Sequence, residues 1–495
     1  MEVQVKRAAA GLRDSLPRTW PPEAGKDEVP CAVGVIGAGF SGTIATILLR
    51  RHLPAAQPVY LIERSGEFAR GVAYAESEVP HLLNVRSANM SAFADDPGHF
   101  ERWLAGEGAQ WPEELRRTEA GLFATRRLYG KYLQATLRCE LAASGGAVRL
   151  LPAEVQALEP RPQGWRLRLA GGGTLMARGV VLATGSLPAG RPCDGAEIRD
   201  PWAPEALSGL EPDVPVLIIG TGLTMVDLVL ALQAQGFRGP IIALSRRGLV
   251  PQAHEQVAQP WLAPDFGEAA HGSVLALLRA VRAELRAASV QNIGWRAVID
   301  SLRPLTAPLW HGLKPQEQAR FLRHLRPYWD VHRHRMAPPA AMLIDTLRAS
   351  GRLRILRGRV REVRCGEGQA TVLYDECPGG VRKTLQVQRV IHATGLPSVR
   401  ESGGLVASML ASGQTRPDGQ GLGLEVTAGL ALIDANGQPV RHLWALGPIV
   451  RGMFWECTAV PDIRQQASVL AQEVAAALSD ASAGPNKTIE SSAKS

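Results

Sequence analysis

Disulfide and zinc chemistry have little to draw on in this sequence. Six cysteines, Cys31, Cys139, Cys193, Cys365, Cys377 and Cys457, are scattered over 495 residues, with no C-x-x-C pair and no zinc spacing. This argues against a disulfide framework, a redox-active cysteine pair and a resident metal, and fits a reducing, cytoplasmic setting. No run reaches about eighteen apolar residues. The polar, proline-containing stretch 1–28 has no apolar signal core, so neither a membrane span nor secretion is expected. Lysine-rich runs interleaved with aromatics are missing as well. The net charge of +8 is therefore ascribed to an anionic cofactor and an arginine-rich composition, not to a nucleic-acid partner.

What is present is the composition of an ordinary globular protein, 45% hydrophobic and 21% charged, in a chain long enough for two or three domains. Its first clear motif is an apolar strand over 32–36 that enters Gly37-Ala38-Gly39-Phe40-Ser41-Gly42 and continues as an apolar helix. Strand, G-x-G-x-x-G turn and helix together form a cradle for a dinucleotide pyrophosphate. Gly37 permits the turn, Gly39 lets backbone approach phosphate, and Gly42 lets helix lie close to strand, so the helix N-terminus faces the anion. About twenty residues on, the strand 59–62 ends in Glu63, placed to accept hydrogen bonds from a ribose diol.

Further along, Tyr74, Asn84 and Arg86 sit in short mixed runs that fit a cofactor-lining segment and an ordinary loop equally. Residues 125–143 read as an amphipathic helix and 147–169 as a β-meander. Strand 180–182 ends in Ala183-Thr184-Gly185, a small stop that allows close backbone approach. After a proline-rich connection, 216–219 enters Gly220-Thr221-Gly222-Leu223-Thr224-Met225, with a helix expected over 226–235. Here methionine replaces the third glycine, which predicts a wider helix-to-strand gap. The next strand ends in Ser245-Arg246-Arg247-Gly248. Guanidinium forks in place of an acid suit a ribose 2′-phosphate, favouring NADPH while leaving NADH open.

Residues 251–345 change to helical periodicity with several tryptophans, which predicts a helical insertion acting as a lid or substrate-facing subdomain. His332 and His334 lie there among arginines, which repel a metal cation; an anion contact or a plain helix end fits better. Strands then return, and Ala393-Thr394-Gly395 repeats the earlier strand ending. A late strand stops at Gly447, and a helix is expected from Glu456 to about 478, its N-terminus suited to a flavin pyrimidine ring.

The combination resembles the YdhS-like FAD/NAD(P)-binding family, related to class B flavin-dependent monooxygenases such as the FAD-dependent urate hydroxylases and N-hydroxylating enzymes. The resemblance rests on residues 35–42, 71–74, 82–86, 126–132, 183–185, 220–227, 329–338 and 392–395. The F-x-G-x-x-x-H-x-x-x-W pattern of Baeyer–Villiger enzymes is absent, with only Asp200-Pro201-Trp202 in that region, and Pro448 follows Gly447 where many such flavoproteins carry Asp.

The expected architecture is an α/β two-dinucleotide-binding-domain flavoprotein with paired Rossmann-like domains. It comprises an N-terminal arm (1–30), a first part of the FAD domain (31–212), an NAD(P)H unit (213–250), the insertion (251–345), a return to both sheets (346–478) and a disordered tail (479–495). The cofactors FAD and NADPH would be bound by Gly37, Gly39, Phe40, Ser41, Gly42, Glu63, Thr184, Gly185, Gly220, Thr221, Gly222, Arg246, Arg247, Gly395 and Gly447, with Gly37, Gly39, Gly42 and Glu63 on FAD and Gly220, Gly222 and Arg246 on NADPH. The resemblance implies an FAD-dependent, NAD(P)H-using monooxygenase that hydroxylates a small amine or N-heterocyclic substrate with O₂. A flavin oxidoreductase or oxidase without oxygen insertion and a non-catalytic flavin-binding sensor remain alternatives. Substrate-pocket candidates are Tyr74, Asn84, Arg86 and His334; no catalytic residue, substrate or oligomeric state follows from the sequence.

Overall fold

A computed structural model describes residues 31–75, 81–185, 198–199, 201–203, 206–267, 272–366, 368–395 and 398–480. The expected N-terminal arm, the tail beyond 480, Cys193 and Asp200 lie outside the described residues. The chain opens with β1 (Cys31–Ile36), helix α1 (Phe40–His52) and β2 (Val59–Ile62). Helix α2 (His99–Ala105), the hairpin β3 (Leu115–Thr118) and β4 (Gly121–Ala124), and α3 (Arg126–Ala143) follow. Strands β5 (Val148–Leu151), β6 (Val155–Arg161), β7 (Gly164–Leu169) and β8 (Thr174–Leu182) complete the first pass. Strands β5, β2, β1 and β8 lie side by side and parallel, while β6 and β7 form the antiparallel excursion expected of the meander. Thr125 starts α3 as its N-cap, its hydroxyl accepting from Leu128 N–H at 3.1 Å.

A second sheet begins with β9 (Ile198–Arg199), β10 (Val216–Ile219), α4 (Leu223–Ala234) and β11 (Ile241–Ser245). The insertion then contributes α5 (Val274–Val290), α6 (Trp295–Ser301), α7 (Thr306–Gly312), α8 (Pro315–His324) and α9 (Arg326–Arg333), and α10 (Pro338–Ala349) leads back to the sheet. Strands β12 (Leu353–Gly366), β13 (Gln369–Glu376), β14 (Arg382–Val387) and β15 (Arg389–His392) complete an order of β14-β13-β12-β11-β10-β15-β9. Both faces of β10 are covered, which explains its unbroken apolar sequence. Val216 and Ile218 pack with Met225 and Val229 of α4 and Ile344 of α10. Leu217 and Ile219 face Ala370, Val372 and Tyr374 of β13.

After α11 (Gly404–Ala411), the chain rejoins the first sheet through β16 (Ala431–Ile433) and β17 (Pro439–Ala445), the latter parallel to β8. Helices α12 (Arg451–Phe454) and α13 (Val460–Asp480) close the described chain, and α13 packs against α1. The first unit is therefore built from two separated stretches of sequence. Two helix starts differ from expectation. Helix α4 begins at Leu223, not 226, because extended Gly222 caps it directly. Helix α13 begins at Val460, not Glu456. Trp455 adopts φ +29°, and the Glu456 carboxylate is held by Trp329 and Arg333.

Candidate functional site

The two sheets carry the same turn. Gly37 N–H donates to the Ile62 carbonyl at 2.8 Å and Ala183 N–H to Ile36 at 2.8 Å; Gly220 N–H donates to Leu244 at 2.9 Å and Ala393 N–H to Ile219 at 2.8 Å. Gly37 has φ +101° and Gly220 φ +121°, and a Cβ there would lie 2.5 Å from the Ala183 carbonyl oxygen or 2.1 Å from that of Ala393. Only glycine fits between such a turn and the neighbouring strand end. The two Ala-Thr-Gly segments thus lie beside the two glycine turns, one in each unit.

Both following helices have bare N-termini. Helix α1 is capped by Gly39 and α4 by Gly222, with no side-chain cap and no acid in the first turn. In contrast, α3 and α5 carry Thr125 and Ser273 as side-chain caps. A helix start with unclaimed N–H groups and a positive dipole end suits a phosphate. In the first unit a Cβ on Gly42 would sit 1.8 Å from the Gly37 carbonyl oxygen, so the helix lies as close as the third glycine allows.

Glu63 follows β2 with its carboxylate fixed: Oε2 accepts from Ala38 N–H at 2.9 Å and Oε1 from Ser65 N–H and hydroxyl at 3.1 and 3.0 Å. Each carboxylate oxygen keeps acceptor capacity for a further donor. Among the described residues the buried Thr184 hydroxyl has no hydrogen-bond partner, and a Cβ on Gly185, which has φ +71°, would meet none of them within 4 Å. Phe40 packs on Tyr129, with ring centroids 6.4 Å apart. At the end of the returning strand, a Cβ on Gly447 would meet Ser41 Oγ at 2.3 Å. Bare donors, an acceptor-rich acid and an orphaned hydroxyl around one turn fit a flavin adenine dinucleotide.

In the second unit Thr221 donates its hydroxyl to the Leu249 carbonyl at 2.5 Å, and Ser245 Oγ accepts from Gly248 N–H at 3.0 Å. These bonds shape the loop that carries two arginines. Arg246 is exposed. Arg247 reaches the insertion, donating to the Arg323 carbonyl at 3.2 Å and lying 5.1 Å from the Tyr328 ring centroid. No described residue lies within 4 Å of a Cβ placed on Gly222, so among the described residues nothing fills the mouth of this turn. Met225 is wholly buried between helix and sheet.

The four pocket candidates contact different partners. Tyr74 packs edge-on against Tyr129 at 4.8 Å, and burial pushes its phenol up to about 12, so it is not a base at neutral pH. The Asn84 carbonyl oxygen lies 2.9 Å from His254 Nε2. Arg86 is claimed by carbonyls, with Nε on Ala120 at 2.5 Å and Nη2 on Glu255 at 2.7 Å. His334 Nε2 lies 4.0 Å from Asp330 Oδ1, each side chain 36% accessible. Surrounding protein nevertheless pushes the imidazole down and the carboxyl up by desolvation.

Sequence reading missed the partners that join the parts. Arg126 pairs with buried Asp227 across the two units. Glu456 receives Trp329 Nε1 at 2.9 Å and Arg333 Nε at 3.0 Å, and Trp310 Nε1 donates to the Gly452 carbonyl at 2.7 Å. Trp310 and Trp455 stack 4.8 Å apart. Arg126, Trp329 and Arg333 lie in the stretches 126–132 and 329–338 that carry the family resemblance, but nothing local names a partner more than a hundred residues away.

This architecture is that of a two-dinucleotide-binding-domain flavoprotein. Residues 34–187 match the family described as FAD-NAD(P)-binding. A comparison with curated proteins finds no match. Among solved structures, the fold is similar to the reduced form of ornithine hydroxylase PvdA from Pseudomonas aeruginosa, with TM-score 0.61 and 14% identity over 91% of this chain and 100% of that one. It is similar to the ornithine N-hydroxylase KtzI from Kutzneria sp. 744, with TM-score 0.59 and 14% identity over 90% and 99%. It is also similar to DfoA, a cadaverine monooxygenase of desferrioxamine biosynthesis from Erwinia amylovora, with TM-score 0.60 and 12% identity over 89% and 94%. No helix among the described residues is long and apolar enough to cross a membrane.

Proposed function

We propose that this chain is an FAD-dependent, NADPH-using monooxygenase that hydroxylates a small amine or N-heterocyclic substrate, akin to the YdhS-like proteins. The observation that carries the reading is the duplicated glycine turn with a bare helix start, followed in one unit by Glu63 and in the other by Arg246. Glu63 would hold the FAD ribose, with the first turn of α1 on the pyrophosphate; Arg246 would hold the 2′-phosphate of NADPH, with the first turn of α4 on its pyrophosphate. Bound there, the flavin supplies electron transfer from nicotinamide and reaction with O₂.

The protein's own part is position and shielding. Thr184 and Gly447 border the flavin site. The insertion is anchored to the segment after the returning strand through Trp310 on Gly452 and through Trp329 and Arg333 on Glu456, a seam that would help keep bulk water from the reacting atoms. Asp330 and His334, each 36% accessible, lie in the same stretch of the insertion. The amine substrates named for the neighbouring folds, ornithine and cadaverine, direct the first screen. With purified flavoprotein in air, NADPH consumption, peroxide and product mass are followed against diamines, basic amino acids and purines. A product heavier by one oxygen, formed in step with NADPH, is expected. NADPH oxidation that yields only peroxide with every compound would favour an oxidase, and no flavin reduction by NADPH or NADH would favour a sensor.

A further inference from the structure

The parallel strands β11, β10 and β15 end on one edge of the second sheet, and the insertion meets the chain just beyond the two outer ends, after β11 and after β15. Beside β11, the Arg323 carbonyl and the Tyr328 hydroxyl contact Arg247 at 3.2 and 3.4 Å. Beyond β15, Arg326 Nη2 comes within 3.8 Å of the position a Cβ on Gly395 would take. Gly395 itself has φ +92° and is exposed. A dinucleotide laid across this edge has its pyrophosphate at Gly220–Gly222. Its 2′-phosphate half lies toward β11, where Arg246 stands, and its nicotinamide half toward β15.

We propose that segment 323–330 of the insertion roofs the dinucleotide crevice and that Arg326 binds the nicotinamide-side phosphate of NADPH. The inference rests on reading the second unit as the NADPH site. Asp330 Oδ2 holds the guanidinium by its Nε at 3.2 Å, which fixes the head and leaves its two Nη groups without a bond to any described residue. The side chain remains 39% accessible. A planar fork held on one edge and open on the other matches two phosphate oxygens. The insertion thereby supplies one half of the cofactor grip and the sheet supplies the other.

Calorimetric titration of the FAD-loaded protein with NADP⁺ and with 2′,5′-ADP, which lacks the nicotinamide-side phosphate, separates the two halves. Arg326→Ala is expected to weaken NADP⁺ about ten- to a hundredfold, the worth of a charge-assisted bond, and to leave 2′,5′-ADP within about twofold. Asp330→Asn, which removes the competing carboxylate but keeps Arg326, is expected to bind NADP⁺ at least as well as the parent. Arg246→Ala should weaken both ligands. If Arg326→Ala binds NADP⁺ like the parent, or loses both ligands equally, the inference is overturned while the NADPH reading stands. Should the parent bind neither ligand, the NADPH reading itself fails.

Discussion

Arg126 Nη2 donates to Asp227 Oδ2 at 2.7 Å, tying the first residue of α3 in one dinucleotide unit to the middle of α4 in the other. The side chains are 18% and 9% accessible, and His81 Nδ1 lies 3.9 Å from the same carboxylate. Breaking a pair this enclosed leaves a charge without compensation, at about 3–5 kcal/mol. Arg126→Ala is expected to lower the melting temperature markedly in thermal denaturation. Arg126→Met with Asp227→Leu should recover much of the loss. A double variant as unstable as the single one would mean that packing around α3, not the unpaired charge, is responsible.

Glu63 gives a test specific to the first unit. Glu63→Ala removes the acceptor assigned to the FAD ribose but leaves the second turn untouched. Flavin retention after gel filtration should fall, with dissociation about tenfold or more easier, and the KM for NADPH of reconstituted protein should stay near that of the parent. Unchanged flavin retention would remove Glu63 from the site.

The glycines make a contrast that steric geometry alone decides. Gly42→Ala would force a Cβ to 1.8 Å from the Gly37 carbonyl oxygen, whereas Gly222→Ala meets no described residue within 4 Å. The first variant should lose flavin and stability together. The second should keep its melting temperature and its flavin, but bind NADP⁺ more weakly because the methyl enters the crevice mouth. Equal flavin content in the two variants would contradict this.

His254 supplies a pH dependence. Burial, aided by the Arg335 and Arg86 guanidiniums, holds the imidazole down to about 4, against the bond to the Asn84 carbonyl. The unfolded chain therefore takes up a proton below about 6.5 that the folded protein refuses until about 4. Stability on this account falls as pH drops through that window, by at most about 1.4 kcal/mol per unit. His254→Gln, melted at pH 7 and at pH 5, should lose less than the parent does. A loss as large as the parent's would assign the acid sensitivity to other groups.

Both turns could be read directly because a turn of this kind is a local steric problem. Gly37 and Gly220 must reach positive φ beside a strand end, and alternating burial writes the strands as apolar runs. The start of α13 could not be read, because a left-handed Trp455 and a carboxylate claimed by Trp329 and Arg333 displace it by four residues. Nor could the partners of Arg86 be read, since it donates to the carbonyls of Ala120 and of Glu255, far away in sequence.

Sequence by itself determined two strand-glycine-helix turns, the acid after one and the arginines after the other, since backbone sterics and residue type act within about thirty residues. Tertiary structure alone decided that Arg126 locks onto Asp227, that Glu456 anchors the insertion, and that Arg326 arrives at Gly395. Those contacts join residues from about seventy to more than a hundred positions apart. A pairing between distant charged groups depends on how whole sheets and helices pack, and no local pattern of residues encodes it.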